Sequence, residues 1–356
     1  MTDVTIDSWF DSDKNHLVAF FGFCSAVKQY DWQFDRLLTG DFYVDDYERL
    51  DKIYQIKVTK PMWEDNKISC ITDVTTNRKI TYSEFDKLVD NYSFNKYEIK
   101  KGLVYIKCDD LIDSVVKMAA ATKQGLVFFV IAANNTSYIT EDAISTINQK
   151  FKKKCDAYQI AMTSGTTSKA KFIYSTKKER MLHSEFVIQR TKLTSSDIIY
   201  NIRNEGNGAW VNVVRHALTA RASLLLGGAD LSIEQSLDII DKEKPTVVFS
   251  TPPSLSRFAR SELMMDNEYI RLWYVSGSPI NPPDAIEIDN KLKNGVVIQA
   301  CSRAESNVPF MSNLYDSIDK RIFTIGYPPN STVSKVVDGE LYIKNKYISS
   351  LLTPRQ

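Results

Sequence analysis

Short, uninterrupted apolar segments alternate along this chain with longer amphipathic ones. Gly102–Lys107 and Gly125–Ala132 are apolar runs of strand length, and Asp109–Thr122 between them carries apolar residues at helical spacing. The same order returns later, where a helix predicted over Leu231–Lys244 ends before a proline and the apolar run Thr246–Ser250 follows. A strand without a polar face has to be covered on both sides, as strands in parallel sheets are. The alternation therefore predicts an α/β fold with mainly parallel sheets.

Changes in this pattern divide the chain into three parts. A basic, polar stretch at Asn148–Cys155 marks the predicted end of a first α/β subdomain, residues 1–155, and a second α/β subdomain follows over 156–321. The second contains three further predicted strands: Tyr158–Met162, Leu272–Val275 and Val296–Gln299. From 322 to 356 the segments RIFTIGY, TVSKVV and GELYIK predict short strands separated by turns. They indicate a small antiparallel β unit at the C-terminus, and its completeness stays open.

One helix start is predicted in detail. The segment Lys79–Leu88 (KITYSEFDKL) predicts a short strand followed by a helix. Ser83 is the predicted N-cap of this helix, because its hydroxyl can accept a hydrogen bond from a free backbone N–H of the first turn.

Composition and charge restrict the class of protein. With 43% hydrophobic residues the chain of 356 residues can bury a large core. Its formal net charge of +1, from 45 basic and 44 acidic residues, argues against binding to nucleic acid or to a membrane surface. The 5 cysteines are widely spaced, which is typical of reduced thiols, and no apolar run is long enough for a membrane-spanning helix. These features predict a cytoplasmic protein without a membrane span or a nucleic-acid partner.

The most informative segment is a hydroxyl-rich loop between two predicted strands. Its residues are Thr163, Ser164, Gly165, Thr166, Thr167, Ser168, Lys169, Ala170 and Lys171. Small residues allow backbone N–H groups to approach a polyphosphate, hydroxyl groups donate hydrogen bonds to phosphate oxygens, and a lysine adds a mobile positive charge. The pattern is not a Walker A loop, because GxxxxGK[ST] does not occur in it. The segment therefore predicts a phosphate-binding loop of another kind.

This loop resembles the signature loop of the adenylate-forming superfamily, which includes acyl-CoA synthetases, firefly-luciferase-like enzymes and the adenylation domains of nonribosomal peptide synthetases. The usual pattern of the family is T-S-G-T-T-G-x-P-K, and this chain departs from it at Ser168 and Ala170. The resemblance implies that ATP is a cofactor and that Thr163–Ser168 and Lys171 bind its phosphates. It also implies that Thr166 and Lys171 act directly in catalysis.

Further segments resemble motifs of the same family and follow the family's order. They are Ile80–Leu88, Lys244–Pro253, Val275–Ile280, Ile325–Pro329 and Gly339–Ile343. The resemblance extends from Lys79 to about Lys344. It implies that Gly277, Ser278 and Pro279 lie beside the adenine and that Pro252 borders the substrate pocket. It further implies two packed α/β subdomains with the nucleotide in the crevice between them.

One motif is only partly kept. Where the family has a segment like Y-G-x-T-E, this chain has Cys301-Ser302-Arg303-Ala304-Glu305. By resemblance, Cys301 and Ser302 lie at the nucleotide and Glu305 is a catalytic ligand of Mg²⁺, because a hard cation that bridges phosphates requires carboxylate oxygens. Cys301 cannot stack on adenine as tyrosine does, and Ala304 has no hydroxyl group for a phosphate.

The acid pocket is predicted around Asn204–Trp210 (NEGNGAW). Amino-acid-activating members of the family have an aspartate near the position of Gly208, and acyl or aryl ligases often have an aromatic residue or a histidine near Gly206. The predicted pocket is small and uncharged, which favours an acyl or aryl acid over an α-amino acid. His216 is considered as a pocket residue, and the alternative is a packed side chain.

After Gly339-Glu340-Leu341 the family continues to a ribose-binding aspartate and a small mobile domain with a second lysine, whereas this sequence ends at Gln356. The expectation is that this domain is absent from the sequence, either because the sequence is a shortened piece of a longer protein or because the protein is naturally short and relies on a partner domain in trans. The first hypothesis is therefore an acid–AMP ligase that passes the acyl group to CoA or to a carrier protein. The alternative is a nucleotide-binding or acyl-adenylate-binding module without turnover.

Overall fold

A computed structural model describes residues 18–19, 70–96, 99–100, 102–132, 147, 157–162, 172–264, 266–304, 307–328, 332–337, 340–344 and 350–351. The strands are β1 (Val18–Ala19), β2 (Cys70–Asp73), β3 (Arg78–Thr81), β4 (Ile99–Lys100), β5 (Leu103–Lys107), β6 (Val127–Ile131), β7 (Ala157–Met162), β8 (Phe172–Thr176), β9 (Ile198–Asn201), β10 (Ser223–Leu226), β11 (Val247–Ser250), β12 (Leu272–Ser276), β13 (Val296–Arg303), β14 (Asn307–Met311), β15 (Val333–Val337), β16 (Glu340–Lys344) and β17 (Ser350–Leu351). The helices are α1 (Tyr82–Asn91), α2 (Leu111–Lys123), α3 (Lys177–Thr191), α4 (Gly208–Ala220), α5 (Ile233–Glu243), α6 (Pro252–Ala259), α7 (Pro282–Lys291) and α8 (Ile318–Phe323).

Two large sheets organise the molecule. The eight-stranded sheet has the order β14-β13-β12-β11-β9-β10-β2-β3, and its six inner strands are parallel to one another. The six-stranded sheet has the order β17-β8-β7-β6-β5-β4, with β5, β6 and β7 parallel and the other strands antiparallel. Antiparallel strands at the sheet edges are common in mixed sheets of this kind.

Both large sheets are buried on both faces. Along β9, Ile199 faces one core and Ile198 the other, and Val247 and Val248 of β11 divide in the same way. The first core also contains side chains of α1–α4 and of the six-stranded sheet, so these helices lie between the two sheets. Helices α5–α8 cover the opposite face of the eight-stranded sheet. The predicted α/β fold with mainly parallel sheets is confirmed.

The C-terminal β unit is confirmed in part. Strands β15 and β16 pair antiparallel, as the sequence predicts, and β1 pairs antiparallel with β16. The predicted strand RIFTIGY is wrong, because its first residues belong to α8. Arg321 of α8 donates hydrogen bonds to the carboxylate of Asp289 and to the carbonyl of Val297, and Ile322 is buried in the core. These contacts hold the segment as a helix against β13.

The division of the chain at residue 155 stays a prediction. Strands from both sides of that position occur in each large sheet: β2 and β3 join the eight-stranded sheet, and β7 and β8 join the six-stranded one.

The predicted N-cap of α1 is wrong by two residues. The cap is Thr81, whose hydroxyl accepts a hydrogen bond from the backbone N–H of Glu84 at 3.2 Å. The carboxylate of Glu84 in turn accepts from the backbone N–H of Thr81 at 2.7 Å. This reciprocal capping box requires Thr-x-x-Glu, a pattern present at 81–84 that outweighs the single hydroxyl of Ser83.

No helix in the described part of the chain is long and apolar enough to cross a bilayer.

A buried ion pair ties together the amino ends of three neighbouring strands. Arg271, just before β12, donates two hydrogen bonds to Asp197, just before β9, at 2.8 and 2.7 Å. Asp197 also accepts a hydrogen bond from the hydroxyl of Thr246, just before β11, at 2.7 Å. The side chains of Arg271 and Asp197 are only 6% and 4% exposed. Each charge therefore depends on the other for compensation.

We expect Asp197→Asn to lower the free energy of unfolding by about 3–5 kcal/mol, because it leaves the Arg271 guanidinium buried without a carboxylate. Urea denaturation followed by circular dichroism measures this change. The control is Asp86→Asn, which breaks the ion pair between Asp86 and Arg221, two side chains that are about half exposed. There we expect the free energy of unfolding to fall by at most about 1 kcal/mol. Equal losses in the two variants would contradict the expectation.

Candidate functional site

The order of the strands reverses at β9. From β9 the chain passes through α4 to β10 on one side, and from β10 it passes through α5 to β11 on the other side of β9. Helix α4 packs in the core between the sheets, whereas α5 packs on the opposite face. In open α/β sheets, ligands bind beyond the carboxyl ends of the strands at such a reversal. The candidate site is therefore the carboxyl edge formed by β9, β11 and β12.

Three segments that the sequence assigns to the site start at this edge. Asn204–Trp210 follows β9, Pro252 follows β11, and Gly277-Ser278-Pro279 follows β12. The tertiary structure thus brings together segments that are far apart along the chain. Their common edge comes from the parallel register of β9, β11 and β12.

Arg203 links these three segments, and the sequence analysis missed it. One of its terminal nitrogens, Nη2, donates to the carbonyl of Ser250 and to the hydroxyl of Ser276, both at 2.8 Å. Its guanidinium carbon lies 5.7 Å from the centre of the Tyr274 ring. Arg203 is only 2% exposed. The sequence signal was an arginine placed directly before the predicted pocket segment, two residues after an apolar strand.

The surroundings of Arg203 disfavour its charge. Burial lowers the pKa of Arg203 to about 10, and the Tyr274 phenol partly opposes that change. Burial raises the pKa of Tyr274 to about 12, so its hydroxyl group stays neutral at physiological pH. The guanidinium therefore remains protonated near pH 7 and carries a desolvated positive charge. The predicted uncharged pocket has a buried cation at its border.

His216 is a packed core residue. It is 3% exposed, its ring lies 6.4 Å from Phe249, and its Nδ1 is 3.1 Å from the hydroxyl of Ser184. Its ring also contacts His183 at 5.2 Å between ring centres. Burial, followed by the charge of Arg215, lowers its pKa well below the usual value. His216 is therefore a neutral part of the core between the sheets, in line with the alternative interpretation of the sequence.

The predicted phosphate-loop residues, Thr163–Ser168 and Lys171, lie outside the described residues, as does Glu305. The residues that flank them are described. Met162 at the end of β7 pairs with Phe172 at the start of β8, and Arg303 of β13 pairs with Asn307 of β14. The predicted phosphate loop and the segment with Glu305 therefore each connect two adjacent antiparallel strands.

Arg180 on α3 joins the flanks of these two segments. Its Nε donates to the hydroxyl of Ser175 in β8 at 2.8 Å, and its Nη1 donates to the side-chain oxygen of Asn307. Asn307 has φ 58°, is only 2% exposed and stands two residues after Glu305. Burial, followed by the charge of Arg215, lowers the pKa of Arg180 to about 9. One side chain thus couples the strand after the predicted phosphate loop to the strand after Glu305.

The predicted adenine-binding turn is open to solvent. Gly277, Ser278 and Pro279 are exposed, whereas the next residue, Ile280, is buried and anchors the turn. Gly277 has φ 120°, a backbone conformation that favours glycine, and a side chain added there would meet no atom within 4 Å. The turn therefore has room for a ligand beside it.

The other predicted site residues have differing surroundings. Pro252 is buried at the first position of α6, where a proline costs no hydrogen bond because that backbone N–H has no partner within a helix. Cys301 and Ser302 are half-buried near the end of β13. Burial raises the pKa of the Cys301 thiol to about 12, so it is a neutral thiol and not a nucleophile. Among the described residues, no group of three His, Cys, Asp or Glu side chains is placed to hold a metal ion.

Gly206 is required by a close approach between the two sheets. It has φ 77°, and a Cβ there would lie 2.5 Å from the backbone nitrogen of Ala132, at the end of β6. Gly208, at the first position of α4, is different, because its Cβ would make only an ordinary contact of 3.9 Å with Ala161. The lack of a side chain at 206 therefore has a packing reason, independent of any pocket.

We expect Gly206→Ala to lower the free energy of unfolding by about 2–5 kcal/mol, because it combines backbone strain with a collision against backbone atoms. Gly208→Ala is the matched control, with an expected change below about 1 kcal/mol in the stabilising direction. Thermal and urea unfolding measure both. A tolerated alanine at 206 would show that the two loops can move apart.

Glu205 makes the stability of the fold depend on pH. Burial raises the pKa of the Glu205 carboxyl group. The negative charges of Asp230 and Asp73 raise it further, by less. A carboxyl group whose pKa is raised in the folded state stabilises the fold while it is protonated. That contribution is complete below its unfolded pKa and is lost as the pH rises through the folded value.

We therefore expect Glu205→Gln to melt at a higher temperature than the native chain at pH 7. The difference should shrink as the pH falls towards 4.5, the usual pKa of a glutamate. Melting curves between pH 4.5 and 8 measure it. Glu262→Gln removes a charge at an exposed position and serves as the control. The same pH profile in both variants would refute a local effect at Glu205.

Known structures share this fold. The luciferase-like enzyme of the nonluminescent mealworm Zophobas morio aligns with a TM-score of 0.65 at 15% identity, over 79% of this chain and 82% of that one. MatB of Rhodopseudomonas palustris, solved with ATP bound, aligns with a TM-score of 0.64 at 15% identity, over 83% and 70% of the two chains. O-succinylbenzoate coenzyme A synthetase of Bacillus subtilis gives 0.65 at 13% identity, over 84% and 74%.

Sequence relatives agree with these structures. A mitochondrial medium-chain acyl-CoA ligase of Mus musculus is 24% identical over 223 residues, which are 55% of this chain and 35% of the mouse protein. The match thus spans about a third of the length of that relative. The profile of the AMP-binding enzyme family matches residues 132–347, well over half of the chain. This confirms the resemblance to adenylate-forming enzymes, and the chain belongs to the AMP-binding enzyme family.

Proposed function

We propose that this chain binds ATP and activates a carboxylic acid as an acyl-adenylate. The observation that carries the proposal is the contact of Arg180 with both Ser175 and Asn307. It ties the strand that follows Lys171 to the strand that follows Glu305, which supports the proposal that the predicted loop and carboxylate serve one site. Family membership supports the choice of ATP as the nucleotide.

In the proposed reaction, a carboxylate oxygen of the acid attacks the α-phosphorus of ATP. A bond forms between this oxygen and phosphorus, the bond between the α-phosphorus and the bridging oxygen to the β-phosphate breaks, and pyrophosphate leaves. Two anions approach each other, so the protein has to position them and to balance negative charge. Lys171 and the hydroxyl groups of Thr163, Ser164, Thr166 and Thr167 bind the phosphates, while the Gly277-Ser278-Pro279 turn borders the adenine.

We propose Mg²⁺ as the cation of this site. Glu305, two residues in sequence from Arg303 and from Asn307, would provide a carboxylate of the kind that Mg²⁺ prefers in proteins. When bound, the ion neutralises charge on the phosphates.

The acid is proposed to be an acyl or aryl acid and the thiol acceptor to be CoA or a carrier protein. The names of the mouse and Bacillus subtilis proteins, both of which describe CoA ligation of an acid, support CoA as the acceptor. A small domain supplied in trans belongs to the same proposal, as does a location in the cytoplasm.

A second candidate is a module that binds the nucleotide without turnover. It is favoured by Cys301, a neutral and half-buried thiol where the family pattern has the tyrosine that lies against adenine.

The test is acid-dependent ATP–pyrophosphate exchange by this chain and by Lys171→Ala. We expect exchange that depends on one class of acid and falls by about 100- to 1,000-fold in the variant, because a charged transition-state contact is lost. Lys178→Ala removes an exposed lysine on α3 and should exchange normally. Absence of exchange with any acid, together with AMP binding by calorimetry, would favour the second candidate. A candidate small domain added in trans then shows whether turnover needs that partner.

A further inference from the structure

Arg203 is a buried arginine that lacks a carboxylate partner in the described part of the chain. A guanidinium has five N–H donors, and two of those of Arg203 are used, by Ser250 and Ser276. Nε is buried without an acceptor. Nη1 has no acceptor among the described residues either, so three donors remain.

Two of the other buried arginines in the described ranges are neutralised by a carboxylate. Arg271 is paired with Asp197, and Arg321 is paired with Asp289, each at no more than 6% exposure of the arginine side chain. Arg203 is as buried as these two. A buried charge without a counter-ion costs more free energy than a buried pair, in which mutual attraction offsets part of the desolvation. Arg180 and Arg215 are also buried and, among the described residues, bond to neutral side chains, so what distinguishes Arg203 is its position at the candidate site.

The position of Arg203 indicates where its counter-ion comes from. Arg271 lies at the amino edge of β9, β11 and β12, the edge opposite the candidate site. Arg203 lies at the carboxyl edge of the same three strands, against Ser276, the residue before the exposed turn Gly277-Ser278-Pro279. It also directly precedes the predicted acid pocket. Arg203 therefore lies at the edge where the candidate site places a ligand.

The reacting carboxylate of the substrate is a poor permanent partner. Its negative charge disappears when the acid becomes an uncharged acyl group in the mixed anhydride, and the guanidinium would then be left alone. A second acidic group elsewhere on the substrate keeps its charge throughout the reaction. It can remain paired with Arg203 in the substrate complex, in the transition state and in the product.

We propose that Arg203 binds a second carboxylate of the substrate, so that the chain selects dicarboxylic acids over monocarboxylic ones. This inference rests on the proposed acid activation and specifies its substrate class. The Tyr274 ring under the guanidinium and the contacts with Ser250 and Ser276 hold the donors in place. Because the N–H donors are already held in position, less side-chain entropy is lost when a ligand binds.

The experiment compares dicarboxylates with their own monoamides, which have the same size but one charge less. Binding of succinate, glutarate and adipate, and of their monoamides, is measured by calorimetry with and without AMP. We expect at least one dicarboxylate to bind about 10- to 100-fold more tightly than its monoamide, as a hydrogen-bonded charge pair provides. In Arg203→Met this preference should fall to about unity, and in Arg203→Lys it should be intermediate.

Arg260→Met is the matched control, because Arg260 is an exposed arginine outside the site with a carboxylate partner, Asp284. It should keep the full preference. Arg203→Met should also fold, since it removes a desolvated charge that has no partner in the described chain. A purely structural role of Arg203 predicts instead a less stable variant in which both ligands bind more weakly by the same factor.

The outcomes separate this inference from the proposed function. Equal binding of dicarboxylates and monoamides by the native chain, or binding of neither, would overturn the inference. Pyrophosphate exchange driven by monocarboxylates alone would overturn it while leaving acid activation intact. A dicarboxylate preference that requires Arg203, without nucleotide binding or exchange, would uphold the anion site and refute the proposed function.

Discussion

The three central strands β9, β11 and β12 are tied by an arginine at each end, and the two ends differ in one respect. At the amino edge, Arg271 is neutralised by Asp197, which also binds Thr246, so charge and hydrogen bonds are complete within the chain. At the carboxyl edge, Arg203 makes neutral contacts alone, with a carbonyl, a hydroxyl and an aromatic ring. Because the charge and the hydrogen bonds of Arg271 are satisfied within the chain, the amino edge has a structural role. The charge of Arg203 is not balanced by these contacts, so an anionic ligand at the carboxyl edge can neutralise it.

This difference between the edges follows from burial on both faces of the sheet. Alternate residues of β9 and β11 enter two separate cores, so neither face of these strands is free to carry polar groups. Polar and charged side chains can therefore be placed only at the strand ends or beyond them. The reversal of strand order at β9 then opens the carboxyl ends for a ligand, because the helices that follow β9 and β10 leave in opposite directions.

Arg180 joins the flanks of two segments for which we propose a role in catalysis. Its guanidinium contacts β8 and β14, which belong to different sheets and lie more than a hundred residues apart in the sequence. In the proposed adenylation the protein has little covalent chemistry to perform, and small displacements of the proposed phosphate and metal ligands would be costly in rate. The buried contacts of Arg180 join the strands that flank those proposed ligands in the sequence. Asn307 has a left-handed backbone, a conformation that asparagine adopts more readily than most residues.

The sequence alone determined the local elements and the family. Apolar runs and helical spacing predicted strands such as β5, β6 and β11, since the period of a pattern reflects local backbone geometry. Tertiary structure decided the rest, because it depends on contacts between residues remote in the chain. It placed β2 beside β10, made the start of RIFTIGY helical through the pairing of Arg321 with Asp289, and enclosed His216 in the core. It also left Arg203 without an acidic partner among the described residues. Whether a charge is balanced depends on which strand ends meet, and no periodicity in the sequence encodes that.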